Sequence, residues 1–330
     1  MALGVAGFRV GCWTHEDGHT GCTVVLAPNG ALGAAAVRGG APGTREMAAL
    51  GANGNVQECH AVVLSGGSAF GLATADGVVD WCETHSIGYD RFVARIPIVG
   101  AAIVFDLRAP GAPRPGRDAG WAACEAASEK DPEMGAVGVG AGCTAGKTAG
   151  LQFAVKSGQG WAVAREGDVS VGALVAVNPL GDVLDERGEV LLGSRAPAGH
   201  PRYPAADLSL PTRREPFSQP PEVSDAPTAG VPVPGASENT VIGCLVTNAR
   251  LEKHQAARAA DLAHSGIARA ITPAHTSYDG DALFLLCAQE RPTPMDLVAH
   301  LGAQAVAAAI RAAARAAGPL NTPVSLGPPD

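Results

Sequence analysis

Aromatic and charged residues are scarce in this chain of 330 residues, at 4% and 17%, and lysine is scarcer still. Only four of the 24 basic residues are lysine, so the chain otherwise uses arginine. The net charge of −8 argues against the broad basic face that nucleic-acid binding requires. No apolar run approaches the roughly 18 residues of a membrane span. We therefore expect neither a nucleic-acid-binding protein nor a membrane protein.

The eight cysteines are dispersed along the chain, and several lie in apolar runs. Because MALGVAGFRV contains no signal-peptide pattern, they predict reduced, buried thiols in a cytoplasmic protein. Cys12, His15, His19 and Cys22 have the spacing C-x2-H-x3-H-x2-C, which could hold zinc. Turn residues between two predicted strands favour a simple hairpin there instead. We therefore expect neither a metal nor a cofactor.

Apolar residues, glycine and proline are by contrast abundant: the chain is 46% apolar and has 43 glycines and 25 prolines. Ten of the prolines fall in residues 194–238, where large apolar side chains are few, and this composition predicts an irregular connector. Regular patterning resumes at Thr240, and residues 240–330 carry seven basic and seven acidic side chains. The net charge therefore belongs to residues 1–239.

Hydrophobic periodicity predicts a mixed α/β fold. The predicted strands are 5–13, 21–27, 61–67, 96–105, 169–178, 240–248 and 281–288, and the predicted helices are 68–84, 251–271 and 293–317. Ser68 is expected to cap the first of these helices. A glycine-rich segment, GAVGVGAGCTAGKTAG, occupies residues 135–150 between regular elements.

Two segments come close to known catalytic motifs without matching them. GAGCTAGKT ends in Gly146, Lys147 and Thr148, as a phosphate-binding loop does, but Ala141 stands where that loop needs its first glycine. LSGGSAFGL resembles a serine nucleophile elbow around Ser68, but Phe70 occupies the position of the last glycine. Neither a nucleotide hydrolase nor a serine hydrolase is favoured, although the scarcity of lysine argues for a chemical role of Lys147.

The junction between Asn239 and Thr240 is the sharpest feature of the sequence. A polar linker ends at Asn239, and a predicted strand begins at Thr240. If the chain is cut there, Thr240 presents both a hydroxyl nucleophile and a free amine that can act as its base. The pKa of such an amine lies near 8, so part of it is unprotonated at neutral pH.

A pair of acidic residues, Asp279 and Asp281 in SYDGDALF, precedes a predicted buried strand. At a spacing of two, both carboxylates could face one side of that strand. Two carboxylates beside a nucleophile can orient an ammonium group and move a proton. The competing interpretation is an Asp-Gly turn with solvated acids.

Seven segments together resemble one family of enzymes. They are RGGAPGTRE (38–46), LSGGSAFGLATADGV (64–78), RIPIVGAAIVFDL (95–107), the GAGCTAGK region, VGALVAVN (171–178), ENTVIGCLVTNARL (238–251) and HTSYDGDALF (275–284). They resemble the P1/S58 family of self-cleaving N-terminal-nucleophile aminopeptidases and amidases, and most of all its nylon-oligomer endohydrolases. The likeness covers residues 5–318 except the proline-rich connector.

The resemblance implies an αββα sandwich, the fold of N-terminal-nucleophile hydrolases and of the related ornithine acetyltransferases. It also implies self-cleavage between Asn239 and Thr240. Residues 1–239 would then form a large chain that includes the connector, and residues 240–330 a small chain. The two would remain one structural domain, and family habit implies a homo-oligomer, a tetramer of such pairs.

The resemblance also implies roles for individual residues. Thr240 would be the nucleophile, Asn178 would help to bind the oxyanion, and the acidic pair Asp279 and Asp281 would orient Thr240 and its ammonium group. Lys147 matches the active-site lysine of the nylon-hydrolase branch. Lys156 in FAVKSGQG matches another alignment of the family lysine, so the choice between the two stays open, with Lys147 preferred.

Phe105 stands where many members have tyrosine, so no phenol is available at that position. Phe105 and Lys156 are secondary candidates for contact with substrate. Threonine as nucleophile and the Asp-x-Asp pair favour an amidase of the nylon-oligomer type acting on linear amides. The alternatives are an aminopeptidase that removes N-terminal residues from small peptides, and an uncleaved scaffold protein with this fold.

Overall fold

The computed structural model describes residues 1–200 and 239–317. Most of the predicted connector, residues 194–238, lies outside the described residues, so its irregular character stays a prediction. Asn239 and Thr240, on which the proposed cut depends, are both described.

Strands dominate the described part of the chain. The strands are β1 (Arg9–Thr14), β2 (Gly21–Val37), β3 (Thr44–Arg45), β4 (Glu58–Ser65), β5 (Tyr89–Arg91), β6 (Ala94–Ile96), β7 (Val99–Ile103), β8 (Thr144–Ala145), β9 (Val155–Lys156), β10 (Gln159–Glu166), β11 (Val169–Asn178), β12 (Asp182–Leu184), β13 (Val190–Leu192), β14 (Thr240–Arg250), β15 (Ile271–Thr272) and β16 (Ala282–Pro292). The α-helices are α1 (Met47–Leu50), α2 (Thr74–Thr84), α3 (Arg117–Glu125), α4 (Lys253–Ala263), α5 (Ser265–Ala268) and α6 (Met295–Ala316). Short 3-10 helices cover Ala2–Gly4, Ser68–Ala73, Gly138–Gly142 and Leu151–Phe153.

Nine strands hydrogen-bond in the order β10-β11-β14-β16-β2-β4-β7-β3, with β1 beside β2. The long strand β2 joins the two halves of this arrangement: its second part pairs with β16, and most of its pairing with β4 lies in its first part. β14 and β16 run parallel, with Ile242 opposite Ala282. Because parallel strands start at the same edge, Thr240 and the Asp-Gly-Asp turn meet there.

Three hydrophobic clusters divide the core into layers, since successive residues of a strand face opposite sides of a sheet. Leu283 of β16 packs in a cluster with α4 and α6. The next residue, Phe284, lies in a second cluster together with Leu64 of β4. Val63 of β4 lies in a third cluster with α2 and α3. The order of layers is helix, sheet, sheet, helix, which is the predicted αββα sandwich.

The structure departs from the predicted elements at several ends. The helix predicted from residue 68 begins as a 3-10 turn, and the prediction that Ser68 caps it is wrong. Gly67 occupies the cap position with φ 83°, no side chain caps the turn, and Ser68 itself has φ 54°. The strand predicted at 5–13 begins only at Arg9, and the strand predicted at 281–288 continues to Pro292.

The segment with zinc-like spacing forms the turn between β1 and β2, where the backbone N–H of His15 donates to Thr20 O at 2.9 Å. Across residues 1–200 and 239–317 there is no group of three or more His, Cys, Asp or Glu residues that could hold a metal ion. Within the same residues, α6 is the one helix long and apolar enough to span a membrane, and 67% of its most apolar window is buried inside the protein.

Candidate active site

Thr240 is the first residue of β14 and is 4% exposed. Its hydroxyl donates a hydrogen bond to the carbonyl oxygen of the preceding residue, Asn239. The same oxygen accepts a hydrogen bond from the backbone N–H of Gly280 at 2.9 Å. The peptide carbonyl at the predicted cut therefore lies between a hydroxyl and an N–H donor, and both come from residues at the edge where β14 and β16 begin.

Asn178 ends β11, and the antiparallel pairing of β11 with β14 sets it directly opposite Thr240. The side chain is fully buried. Its Oδ1 accepts hydrogen bonds from the backbone N–H of Thr144 at 2.9 Å and from Lys147 Nζ at 3.0 Å. Its Nδ2 donates to the carbonyl oxygen of Phe105 at 3.0 Å. Phe105 thus enters the site through its backbone, so the absence of a tyrosine there does not affect this contact.

Lys147 is buried beside Asn178. Its ammonium donates to the backbone oxygen of Asn178 at 2.9 Å as well as to Oδ1, and the side chain is 6% exposed. The loop that carries it is anchored by hydrogen bonds from Gly146 N–H to Gly181 O at 3.0 Å and from Lys147 N–H to Leu180 O at 2.9 Å. Gly146 has φ 72°, a left-handed conformation that favours glycine.

Lys156 lies in a different environment. Its ammonium donates to the carbonyl oxygen of Ala141, and its charged neighbours are Arg108 and Asp106. Burial and the charge of Arg108 lower the pKa of Lys156. Of the two lysines that the sequence left open, the structure therefore brings Lys147 to Asn178, whereas Lys156 bonds to the glycine-rich segment.

Asp279 and Asp281 are buried, at 2% and 1% exposure, so the interpretation as solvated acids is wrong. Asp281 Oδ1 accepts the backbone N–H of Val241 at 2.7 Å, one residue beyond Thr240. Asp279 Oδ2 accepts the N–H of Thr276 at 2.7 Å. Burial and the charge of Asp281 raise the pKa of Asp279, against the opposing effects of the Thr276 hydrogen bonds and the Lys147 charge. Asp279 is therefore suited to hold and release a proton near Thr240.

Two further residues of the site were not predicted. Gly280 supplies the N–H described above, and a Cβ there would lie 2.9 Å from Thr240 Oγ1, so glycine leaves room for the hydroxyl. His275 Nδ1 lies 2.7 Å from Asp281 Oδ2. Both lie in the quoted segment HTSYDGDALF, but neither spacing by itself indicates a contact.

Comparison with protein-family models matches residues 3–321 to peptidase family S58. The chain belongs to peptidase family S58. An uncharacterized aminopeptidase of Mycobacterium tuberculosis is 39% identical over 302 residues, which cover 86% of this chain and 79% of that protein. A 6-aminohexanoate-oligomer endohydrolase of Paenarthrobacter ureafaciens is 33% identical over 290 residues, which cover 87% of this chain and 75% of that protein.

The fold is similar to that of the L-aminopeptidase D-Ala-esterase/amidase from Ochrobactrum anthropi, a variant of the Ntn hydrolase fold, with a TM-score of 0.65. The two sequences are 19% identical, and the match covers 96% of this chain and 85% of that chain. The family predicted from motifs and the predicted fold are both confirmed. This S58 chain is a hydrolase that acts on amide bonds.

Proposed function

We propose that this S58 chain cleaves itself between Asn239 and Thr240 and then uses Thr240 as an N-terminal nucleophile to hydrolyse linear amides. The observation that carries the proposal is the contact of the Thr240 hydroxyl with the carbonyl of its own scissile bond. The Gly280 N–H at 2.9 Å supports it, because a preorganised donor on a carbonyl oxygen stabilises the negative charge that develops there.

Self-cleavage would begin as an internal acyl transfer. The Thr240 hydroxyl oxygen bonds to the Asn239 carbonyl carbon, the bond from that carbon to the Thr240 nitrogen breaks, and the hydroxyl proton moves to that nitrogen. Water then hydrolyses the resulting ester, which leaves a carboxylate on Asn239 and a free amine and hydroxyl on Thr240. During the attack Gly280 N–H donates to the oxyanion.

In the cleaved enzyme, the Thr240 amine would take the hydroxyl proton while the oxygen attacks the substrate amide. Lys147 and Asn178, which contact each other opposite Thr240, would stabilise the oxyanion. Asp279 and Asp281 would orient the ammonium group, and Asp279 would return a proton to the leaving amine. Water would hydrolyse the acyl-enzyme and restore Thr240.

We propose 6-aminohexanoate oligomers as a substrate class, supported by the identity of 33% to an enzyme named for them and by the Thr and Asp-Gly-Asp residues. A second candidate is an aminopeptidase for small peptides, which the relative with 39% identity favours by its name. Both activities need the same cut and the same nucleophile.

We also propose that the protein is a cytoplasmic homo-oligomer, a tetramer of pairs of large and small chains. Gel filtration of the purified protein would test the oligomeric state.

The cut is tested first. Purified wild-type protein should give two fragments on a denaturing gel, and N-terminal sequencing of the smaller fragment should begin at Thr240. The Thr240→Ala variant should remain one chain and hydrolyse no amide. A wild-type chain that stays intact, or a Thr240→Ala variant that still hydrolyses amides, would contradict the proposal.

The substrate class is tested separately with cleaved wild-type protein. Oligomers of 6-aminohexanoate are compared with their N-acetylated forms and with short natural peptides. An endohydrolase should cleave the N-blocked oligomers at a rate similar to the free ones. Activity that is confined to substrates with a free amine would favour the aminopeptidase.

A further inference from the structure

Asp281 has a partner at each carboxylate oxygen. Oδ1 accepts Val241 N–H at 2.7 Å. Oδ2 accepts the backbone N–H of His275 at 3.2 Å and lies 2.7 Å from His275 Nδ1. His275 adopts a left-handed φ of 56°, which is uncommon for a residue with a side chain and lets its backbone and ring bind one oxygen. Asp281 is thus held by the strand that starts at the nucleophile and by His275.

Two carboxylates buried two residues apart need compensating positive charge, since like charges in a low dielectric oppose each other's ionisation. Among the described residues, Lys147 acts on Asp279 and lowers its pKa, but burial and Asp281 outweigh it. The ion-pair partner of Asp281 is His275, whose side chain is 17% exposed against 2% for the aspartate. The two carboxyl groups therefore have different cations and different surroundings.

The groups that face His275 come from three elements. Asp281 lies just before β16, and Arg38, just after β2, is paired with Asp261 of α4 at 2.7 Å. His264 at the end of α4 packs its ring 5.2 Å from the His275 ring, and its carbonyl lies 3.3 Å from His275 Nε2.

These neighbours act on the two histidines in opposite directions. Burial lowers the pKa of His275, but the hydrogen bond and charge of Asp281 outweigh burial and raise it above 6.5. Burial lowers the pKa of His264 to about 4, so His264 is neutral between pH 5 and 9. Near neutral pH, His275 is the member of this pair that changes charge.

We propose that His275 is a positioning residue of the catalytic site, which as an imidazolium holds and neutralises Asp281 and so leaves Asp279 as the carboxyl group that exchanges a proton with Thr240. This rests on the proposed function. Both carboxylate oxygens of Asp281 are hydrogen-bonded, so Asp281 anchors the start of β14. Asp279 is then the carboxyl group that transfers the proton.

The consequence is a pH dependence with a defined sign. Below its raised pKa, His275 carries the charge that balances Asp281. As pH rises through that pKa the charge is lost, and the uncompensated Asp281 carboxylate raises the pKa of Asp279 further. Self-cleavage and turnover should then fall on the alkaline side of the His275 pKa, because Asp281 loses the imidazolium that holds and neutralises it.

The kinetic test uses His275→Gln, which keeps a hydrogen-bond donor but no titratable charge. The control is His254→Gln, which changes an exposed histidine of α4 that pairs with the exposed Glu252. We expect His275→Gln to self-cleave and turn over at least about tenfold more slowly at pH 6.5 and to lack the alkaline decline seen in wild type. His254→Gln should match wild type. A His275→Gln profile that parallels wild type across pH 5–9 would overturn the proposal.

A second measurement does not depend on activity or on the folding of the His275 variant. In the uncleaved Thr240→Ala chain, NMR titration of labelled histidine should give a His275 pKa above 6.5. Adding Asp281→Asn should lower that pKa by about one pH unit or more. An unchanged value would overturn the ion pair and the proposal with it. If wild type neither cleaves nor hydrolyses amides, the proposed function fails, whereas the NMR result still reports the ion pair.

Discussion

Gly280 offers a direct test of how the scissile bond is activated. In Gly280→Ala the new Cβ would lie 2.9 Å from Thr240 Oγ1 and 3.0 Å from the Ala41 carbonyl oxygen. Real Cβ atoms essentially never approach closer than 3.0 Å, so either the hydroxyl or the Asp-Gly-Asp turn must move by a few tenths of an ångström. Movement of the hydroxyl disturbs one donor to the Asn239 carbonyl oxygen, and movement of the turn disturbs the other, the Gly280 N–H.

The size of the effect follows from the chemistry of such donors. Removing one oxyanion donor completely slows a reaction by roughly 10² to 10³, or about 2.7–4 kcal/mol. Because the affected donor is displaced and not deleted, we expect self-cleavage of Gly280→Ala to be about 10- to 100-fold slower, or about 1.4–2.7 kcal/mol.

Cell-free translation with a radioactive pulse measures this rate, since samples can be quenched in denaturant and the fragments counted on a gel. The matched control is Gly116→Ala, where an added Cβ meets nothing within 4 Å and the backbone is extended. Circular dichroism checks that both variants fold. A folded Gly280→Ala chain that cleaves within twofold of wild type would refute the argument, as would equal slowing in Gly116→Ala.

Two further predictions concern basic residues of the interior. Lys147→Met should slow amide hydrolysis at least about tenfold, because it removes two charged hydrogen bonds to Asn178. The control, Lys156→Met, should change kcat less than about threefold. Equal losses of kcat in steady-state assays of the two variants would contradict this prediction. His264 is fully buried, and burial lowers its pKa from the ordinary 6.5 to about 4. Between these two pH values, His264 is protonated in the unfolded chain but not in the folded chain. The free energy of unfolding should therefore fall by up to about 3 kcal/mol between pH 6.5 and 4. Urea titrations of His264→Gln should lack this part of the loss. The same pH dependence of unfolding in wild type and His264→Gln would contradict the prediction.

Local patterns predicted several elements well. The strand 169–178 was predicted with its observed bounds, because an uninterrupted run of small and β-branched apolar residues suits a strand buried on both faces. The start of β14 at Thr240 was also predicted, since a polar linker meets an apolar run there. The cap expected at Ser68 failed because Gly67 already adopts a left-handed conformation and the chain enters a 3-10 turn.

Within the site, the sequence predicted which residues could carry chemistry but not which of them meet. Spacing to Phe105 and Asn178 favoured Lys147, but the segment around Lys156 also resembled a family segment, so the sequence left the choice open. In the structure, backbone hydrogen bonds from the lysine loop to Leu180 and Gly181 place Lys147 in contact with Asn178. The role of His275 was not predicted from the sequence. Its contact with Asp281 depends on the left-handed backbone conformation of His275, which the sequence pattern does not indicate.

The apolar alternation, the Asn-Thr junction and the Asp-Gly-Asp turn are properties of neighbouring residues. They were enough to predict a mixed α/β fold and to single out Thr240 as a candidate nucleophile, and the family resemblance added the αββα sandwich. Tertiary structure decided the rest. The antiparallel register of β11 and β14 sets Asn178 opposite Thr240, and the parallel register of β14 and β16 brings Gly280 N–H to the Asn239 carbonyl. These contacts join residues some 40 to 60 positions apart, and hydrogen bonds across a sheet depend on strand register, which no local propensity specifies.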